Sequence, residues 1–277
     1  YLSVGTIETF DEMMGMQNSE ADILHMFAHA AEFSNIKVRE EEMEEMDNLH
    51  AQVELLVKGG LGDKAGKTNV LMQAYISRLP VKAFALTSDM MFISQSASRI
   101  ARGVFEIALS RGWISYAEKA LRLSKAIERR MWPMQTPIRQ IGGQREDIYQ
   151  KVEAKRADAS TLREMSVGDI GQLITNQRAA HGVKAEVEML PHLTIDVVPQ
   201  PITRTVLKVT LTLTAEFHWV EKHHGSVERF WVWVEDTENE HIYHKELFLL
   251  HKLKKDEPAE LSFTIPLFEP LPPQYFV

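Results

Sequence analysis

One change of rhythm constrains this chain more than anything in its composition. Up to Pro191 apolar residues recur every three or four positions, the period of an α-helix; beyond it they recur every two, the period of a β-strand. Leu86, Met90, Ile93, Ala97, Ile100, Val104 and Ile107 are spaced alternately by four and three, with Ala108 beside the last. Further on, Leu207, Val209, Leu211 and Leu213 alternate with Lys208, Thr210, Thr212 and Thr214. Helices first and strands afterwards predict an α+β chain with separate α and β parts, not interleaved βαβ units. Its 277 residues accommodate about two domains, and they bury enough surface to fold without a covalent or metal staple. The absence of cysteine excludes disulfides, a thiol nucleophile and Cys-ligated metals.

The periodicity divides the chain at residues 140 and 192. Residues 1–140 form a helical bundle, with helices over 7–14 and 20–33 capped by Thr6 and Ser19. An acidic helical run over 39–47 turns Met43, Met46 and Leu49 inward and its charges to water, and a flexible loop covers 59–66. Helices over 69–79, 88–111 and 116–131 follow, the last closed by Pro133. Residues 141–192 hold shorter helices. Residues 193–277 hold six strands, over 193–198, 207–213, 227–235, 241–250, 261–267 and 274–277, the pattern of an antiparallel sandwich that stops before its last strand. The chain opens without Met and closes inside the last of these, so it is expected to be a piece of a longer protein. No uninterrupted apolar run approaches the roughly 18 residues of a membrane span.

The net charge of −8 conceals an asymmetry. Residues 1–66 carry −10, residues 67–140 carry +8, residues 141–190 carry −1 and residues 191–277 carry −5. The basic block either neutralises the acidic one within the fold or meets phosphates.

No local motif supports catalysis. Gly60-Leu-Gly62-Asp-Lys-Ala-Gly66-Lys67-Thr68 imitates a phosphate loop, but Leu61 stands where the first glycine is required. His25 and His29 have a metal-clamping spacing without the glutamate of H-E-x-x-H, and neither His223-His224 nor His241 with His244 has a third ligand at a recognisable spacing. Trp231 and Trp233 share a strand face, and the sandwich reading makes one of them a core tryptophan. Ser96, Arg99 and Arg102 lie at intervals of three along the 88–111 helix, near Gln95. Guanidinium forks and a short hydroxyl in a stripe suit a phosphate backbone, unless acids from residues 1–66 occupy them.

At these residues the chain resembles a known family. Ile36-Lys-Val-Arg-Glu-Glu-Glu42, Asn69-Val-Leu-Met-Gln-Ala-Tyr-Ile-Ser77, Gln95-Ser-Ala-Ser-Arg-Ile-Ala-Arg102 with Phe105-Glu-Ile-Ala-Leu109, Arg130-Met-Trp132, Pro137-Ile-Arg-Gln140, Gln200-Pro-Ile-Thr-Arg-Thr205 and Phe268-Glu-Pro-Leu-Pro-Pro-Gln-Tyr-Phe276 are similar to the SEC sixty-three homology unit. That unit occurs in tandem-cassette helicases of the Ski-two-like (DExH) group and in an endoplasmic-reticulum translocation protein. The cointegrator-complex and spliceosomal branches stand nearest, with Trp231-Val-Trp-Val-Glu-Asp236 leaning to the first and Ser96 to the second.

The resemblance implies a helical bundle with a long "ratchet" helix over 88–111, a helix–loop–helix domain and a truncated immunoglobulin-like, fibronectin-type sandwich. It implies a non-catalytic module of an ATP-dependent 3′–5′ helicase, working in the nucleus or cytoplasm on single-stranded RNA or DNA. The module packs on RecA-like motor and winged-helix domains of the same chain, meets other complex subunits and leaves ATP and Mg to the motors; no membrane partner is implied. Gln95, Ser96, Arg99 and Arg102 then contact the strand, with Arg178 and Lys184 as further nucleic-acid candidates. Ser98 stands where family members often carry Gly or Ala. The translocation-protein version implies the alternative, a pure interaction scaffold.

Overall fold

The computed structural model describes residues 2–236, 238, 240–269 and 271–277. It is an α+β chain in two compact units that divide between Pro133 and Met134. In the first unit, α1 (Val4–Met13), α2 (Glu20–Ala28), α3 (Met43–His50), α4 (Lys64–Ile76), α5 (Phe84–Arg111) and α6 (Ile114–Arg129) follow the helical rhythm.

Several ends move from where the sequence placed them. Ser3, not Thr6, caps α1. Thr6 is buried instead; its hydroxyl donates to Glu32 and accepts the Ala31 N–H at 2.9 Å. Ser19 caps α2 in a reciprocal capping box with Asp22. That helix stops at Ala28, because Ala30 turns to an extended ψ of 137° before a 3-10 turn buries Phe33.

Helix α5 spans 28 residues, about 42 Å at 1.5 Å per residue. It begins at Phe84, not Ser88. The Glu45 carboxylate accepts the Lys82 and Ala83 N–H groups, which satisfies amides that otherwise lack partners at a helix start. Gly112 ends it in the left-handed region at φ 74°, where a side chain would be strained. Leu86, Met90, Ile93, Ala97, Ile100, Val104 and Ala108 are buried as their spacing predicts. Ala101, Phe105 and Leu109 join them, while Ile107 is half-buried.

The C-terminal ends of α4 and α6 cap each other. Arg78, just past α4, donates to the Arg130 carbonyl at 3.0 Å; Arg130, just past α6, donates to the Tyr75 carbonyl at 3.1 Å. Both arginines adopt positive φ, and the Arg130 guanidinium lies 4.3 Å from the Tyr75 ring centre. Trp132 adds an indole N–H to Ser77 Oγ at 2.8 Å.

The second unit contains a helical core and a β core. Its helices are α7 (Glu146–Ala154), α8 (Ala159–Glu164), α9 (Val167–Leu173) and α10 (Gln177–Met189), packed around Val152, Leu162, Ile170 and Val183. Ile138 joins this core, so residues 134–140 lie with the second unit. Two antiparallel sheets follow, with the short α11 (Glu221–His224) between their second and third strands in chain order. One is ordered β1 (Leu193–Thr203), β2 (Val206–Ala215), β5 (Ala259–Pro266); the other pairs β3 (Val227–Asp236) with β4 (His241–His251).

Val209, Leu211 and Leu213 of β2, Ile265 of β5 and Val232 and Val234 of β3 share one cluster. The expected core tryptophan is therefore corrected. Strand alternation turns Val232 and Val234 inward and leaves Trp231 and Trp233 half-buried on the other face. β1 continues through Pro199 and Pro201, which an edge strand tolerates because their missing N–H groups can face away from the ladder. The expected strand over 274–277 is reduced to one bridge, Glu235 with Phe276. Arg163 fastens the two cores, donating to the Val187, Leu190 and Glu216 carbonyls at 3.0–3.1 Å.

Candidate nucleic-acid interface

The exposed positions of α5 are Phe84, Ser88, Met91, Phe92, Gln95, Arg99, Arg102, Glu106, Ser110 and Arg111. At 100° per residue, those from Phe84 to Ser110 fall within an arc of about 100°, the reverse of the buried stripe. Its first half is uncharged, and its charges begin at Arg99. The structure thus gathers Gln95, Arg99 and Arg102 on one open face, with Ser96 half-buried at its border.

Arg99 forms no ion pair among the described residues. Glu32 is its acidic neighbour, but the Glu32 oxygens already accept from the Thr6 hydroxyl and, at 3.0 Å, the Ser3 N–H. Burial pushes the Glu32 carboxyl up; those hydrogen bonds, with the charge on Arg99, bring it below the ordinary glutamate range. Arg102 donates to Glu128 of α6 at 3.2 Å, with both side chains 48% exposed. A surface pair of that kind contributes about 0–1 kcal/mol and is readily exchanged for a phosphate. Gln95 and Ser96 make no side-chain hydrogen bond among the described residues.

Beside this face runs an open groove of about 640 Å³, lined by Leu2 and Ile7 on one side and by Arg99, Arg102 and Glu106 on the other. Gly103 forms part of its wall; a Cβ there would come within 2.8 Å of Leu2 Cδ1. At its far end Arg111 pairs with Asp11 and lies 5.1 Å over the Trp113 ring.

The loop expected at the phosphate-loop imitation is corrected. From Lys64 it is helical, and Lys67 is 0% exposed. The Lys67 ammonium donates to Glu42 at 2.6 Å, to Asp89 of α5 at 2.7 Å and to the Lys37 carbonyl at 2.7 Å. Arg39 also donates to Glu42 and, at 3.1 Å, to Asp89. The acidic run is therefore not wholly a solvated face: Glu42 is buried as a counter-ion. With its three donors engaged, Lys67 has none to offer a nucleotide phosphate.

Arg178 and Lys184 belong to the second unit. Arg178 is exposed in the first turn of α10, and Lys184 is consumed by the Arg163 and Met165 carbonyls. The His25 and His29 rings meet edge-on at 4.5 Å. No group of three or more metal-ligating side chains gathers among the described residues, and none of the described helices is long and apolar enough to cross a membrane. Met91 and Phe92 are exposed on the same arc, one turn toward the N-terminus from Gln95.

The family model described as the Sec63 Brl domain matches residues 1–277. Among similar proteins, the DExH-box ATP-dependent RNA helicase DExH14 of Arabidopsis thaliana is 44% identical over 282 residues. The activating signal cointegrator 1 complex subunit 3 of Gallus gallus is 42% identical, and the human U5 small nuclear ribonucleoprotein 200 kDa helicase is 40% identical. Each alignment covers 100% of this chain and 13% of the relative, so the chain corresponds to one domain of these much longer proteins. The cointegrator and spliceosomal relatives are thus similar to this chain to nearly the same degree.

Proposed function

Because the chain belongs to the Sec63 Brl domain family, we propose that it is the non-catalytic accessory module of an ATP-dependent 3′–5′ helicase. The exposed arc of α5 is its ratchet face, and it guides a single strand of RNA or DNA past RecA-like motors elsewhere in the parent chain. ATP and Mg belong to those motors, since the nearest imitation of a phosphate loop here buries its lysine. The helical part of the second unit acts as a helix–loop–helix domain, and its two sheets as an immunoglobulin-like domain. Neighbouring winged-helix domains and complex subunits hold the ratchet face in place. The parent works in the nucleus or cytoplasm.

The observation that carries this reading is Arg99, an exposed guanidinium without an ion pair among the described residues. It stands beside Gln95 and Ser96, whose side chains make no hydrogen bond among the described residues. Arg99 and Arg102 neutralise phosphates; Gln95 and Ser96 supply short hydrogen bonds to phosphate or ribose. Such contacts carry little base specificity, so the strand can slide.

The test is Arg99→Glu in the full-length helicase. Losing a charge-assisted hydrogen bond is expected to reduce duplex unwinding about tenfold or more at physiological salt, with the thermal melt of this 277-residue chain unchanged. Unwinding at the wild-type rate would overturn the ratchet reading. A lowered melting temperature would favour the scaffold alternative, in which the basic helix is held internally.

A further inference from the structure

Away from the α5 face, one pair of side chains combines ligand chemistry with ligand geometry. His25 lies in the last turn of α2 and His29 just past its end, four residues on, so the two imidazoles share one side of the helix. His25 is half-buried and His29 exposed, and their ring centres are 4.5 Å apart at an interplanar angle of 70°. In each ring one nitrogen is already withdrawn. His29 Nδ1 faces the His25 carbonyl at 2.9 Å, and since a carbonyl only accepts, that nitrogen carries the proton. His25 Nδ1 is buried, with no hydrogen-bond partner among the described residues. Nε2 is therefore the nitrogen that each ring has left to offer, and in neutral His29 it is a lone pair. A backbone carbonyl holding the opposite ring nitrogen is how proteins orient metal-binding histidines.

We propose that His25 and His29 clamp one divalent transition-metal ion of the square-planar or octahedral kind, of which Cu²⁺ is the strongest binder. Imidazole nitrogen suits such cations. The ring separation selects the geometry. With a metal–nitrogen bond of about 2.0 Å and the ring centre about 1.1 Å further on, two imidazoles at a right angle around one cation have centres about 4.4 Å apart; at the tetrahedral angle the separation is about 5 Å. The 4.5 Å found here matches the right angle. Water completes the coordination, since no third ligating side chain gathers at the pair among the described residues. The local charges also suit a cation. Asp22, Asp63 and Lys58 act on His25, and Lys58 is paired with Asp22, which leaves the Asp63 carboxylate in excess. The clamp shares no residue with the proposed ratchet face and does not depend on it.

The test titrates the full 277-residue chain with CuCl₂ in a non-coordinating buffer, read by calorimetry and, at one equivalent, by electron paramagnetic resonance. One equivalent is expected to bind more tightly than the rest and to show two ligating nitrogens, because the helix holds the second imidazole at high effective concentration. His25→Gln and His29→Gln should each weaken this step about tenfold or more and leave one nitrogen. His241→Gln, at a histidine of β4, should leave it unchanged. Circular dichroism of His29→Gln should match wild type, because that ring is exposed, so this variant decides the outcome if His25→Gln fails to fold. Wild-type affinity in His29→Gln, a single nitrogen in wild type, or no tight equivalent at all would each overturn the clamp.

Discussion

Lys67 and Arg99 belong to the same +8 segment, and each sits in a run of residues that imitates a phosphate site. Their surroundings are opposite. Lys67 is sealed between Glu42 and Asp89 with its donors used, whereas Arg99 lies open on α5 with no ion pair among the described residues. The basic segment thus does two jobs that a charge count cannot separate. Some of its cations neutralise the acidic N-terminal block from inside, and others project from the far side of the same helix system. Asp89 links the two regions, since it is held by Lys67 and lies ten residues before Arg99 on α5. The buried cluster fixes the helix that displays the open face.

The largest expected effect breaks the buried side of this contrast. Lys67→Met leaves Glu42 and Asp89 with Arg39 as their one ion-pair partner among the described residues. Removing one partner of a buried pair costs about 3–5 kcal/mol. Urea unfolding of the chain should show the midpoint falling with the slope unchanged. If the midpoint holds, the cluster is not what anchors α5.

A smaller loss is expected from Gly66→Ala, where a Cβ would collide with the Gly60 carbonyl oxygen, a backbone atom. Overpacking of that kind costs about 1–3 kcal/mol. The same measurement should place it between wild type and Lys67→Met.

Glu186 of α10 sharpens the contrast, because it is buried and has no ion pair among the described residues. It accepts from the Gly143 N–H at 2.7 Å and the Tyr149 hydroxyl at 3.2 Å, both neutral donors. Burial pushes its carboxyl above the ordinary glutamate range. A raised pKa means that its contribution is fully present in acid and is lost as the pH climbs through the raised value. Glu186→Gln should therefore be more stable than wild type at neutral pH, with the difference closing as the pH falls. A gap that widens in acid would reverse the assignment.

The smallest stability effect belongs to the open face. Arg99→Ala should change stability by less than about 0.5 kcal/mol, as surface substitutions do. Its signature is in binding. The log–log salt dependence of single-strand affinity should become shallower by about 0.7, one lost phosphate contact. An unchanged slope would mean that Arg99 touches no phosphate.

How much of this was legible beforehand differs between elements. The buried stripe of α5 is present in its spacing, and so is the inward face of β2, because periodicity reports burial directly. Ser19 declares its capping box through Asp22 three positions on. The start of α5 is not legible locally, because its terminal amides are satisfied by Glu45, 38 residues before Ala83. Thr6 reads as a cap from local sequence, because its true partner, Glu32, is 26 residues away. Trp231 and Trp233 illustrate a third limit: alternation says that they share a face, but not that the smaller valines between them take the core.

Of the candidate site, the stripe of Gln95, Arg99 and Arg102 follows from spacing alone, because i, i+3 and i+4 geometry is local. Which of its cations remain free is not local. Lys67, Arg102 and Lys184 are committed by Glu42 with Asp89, by Glu128, and by the Arg163 and Met165 carbonyls, partners brought near only by packing. The order of residues therefore determined the α-then-β division, the long helix and the faces it must bury and expose. Tertiary structure alone decided which charges cancel and which stay open to a ligand. The physical reason is that ion pairing depends on distances of a few ångströms between segments that lie tens of residues apart in the chain.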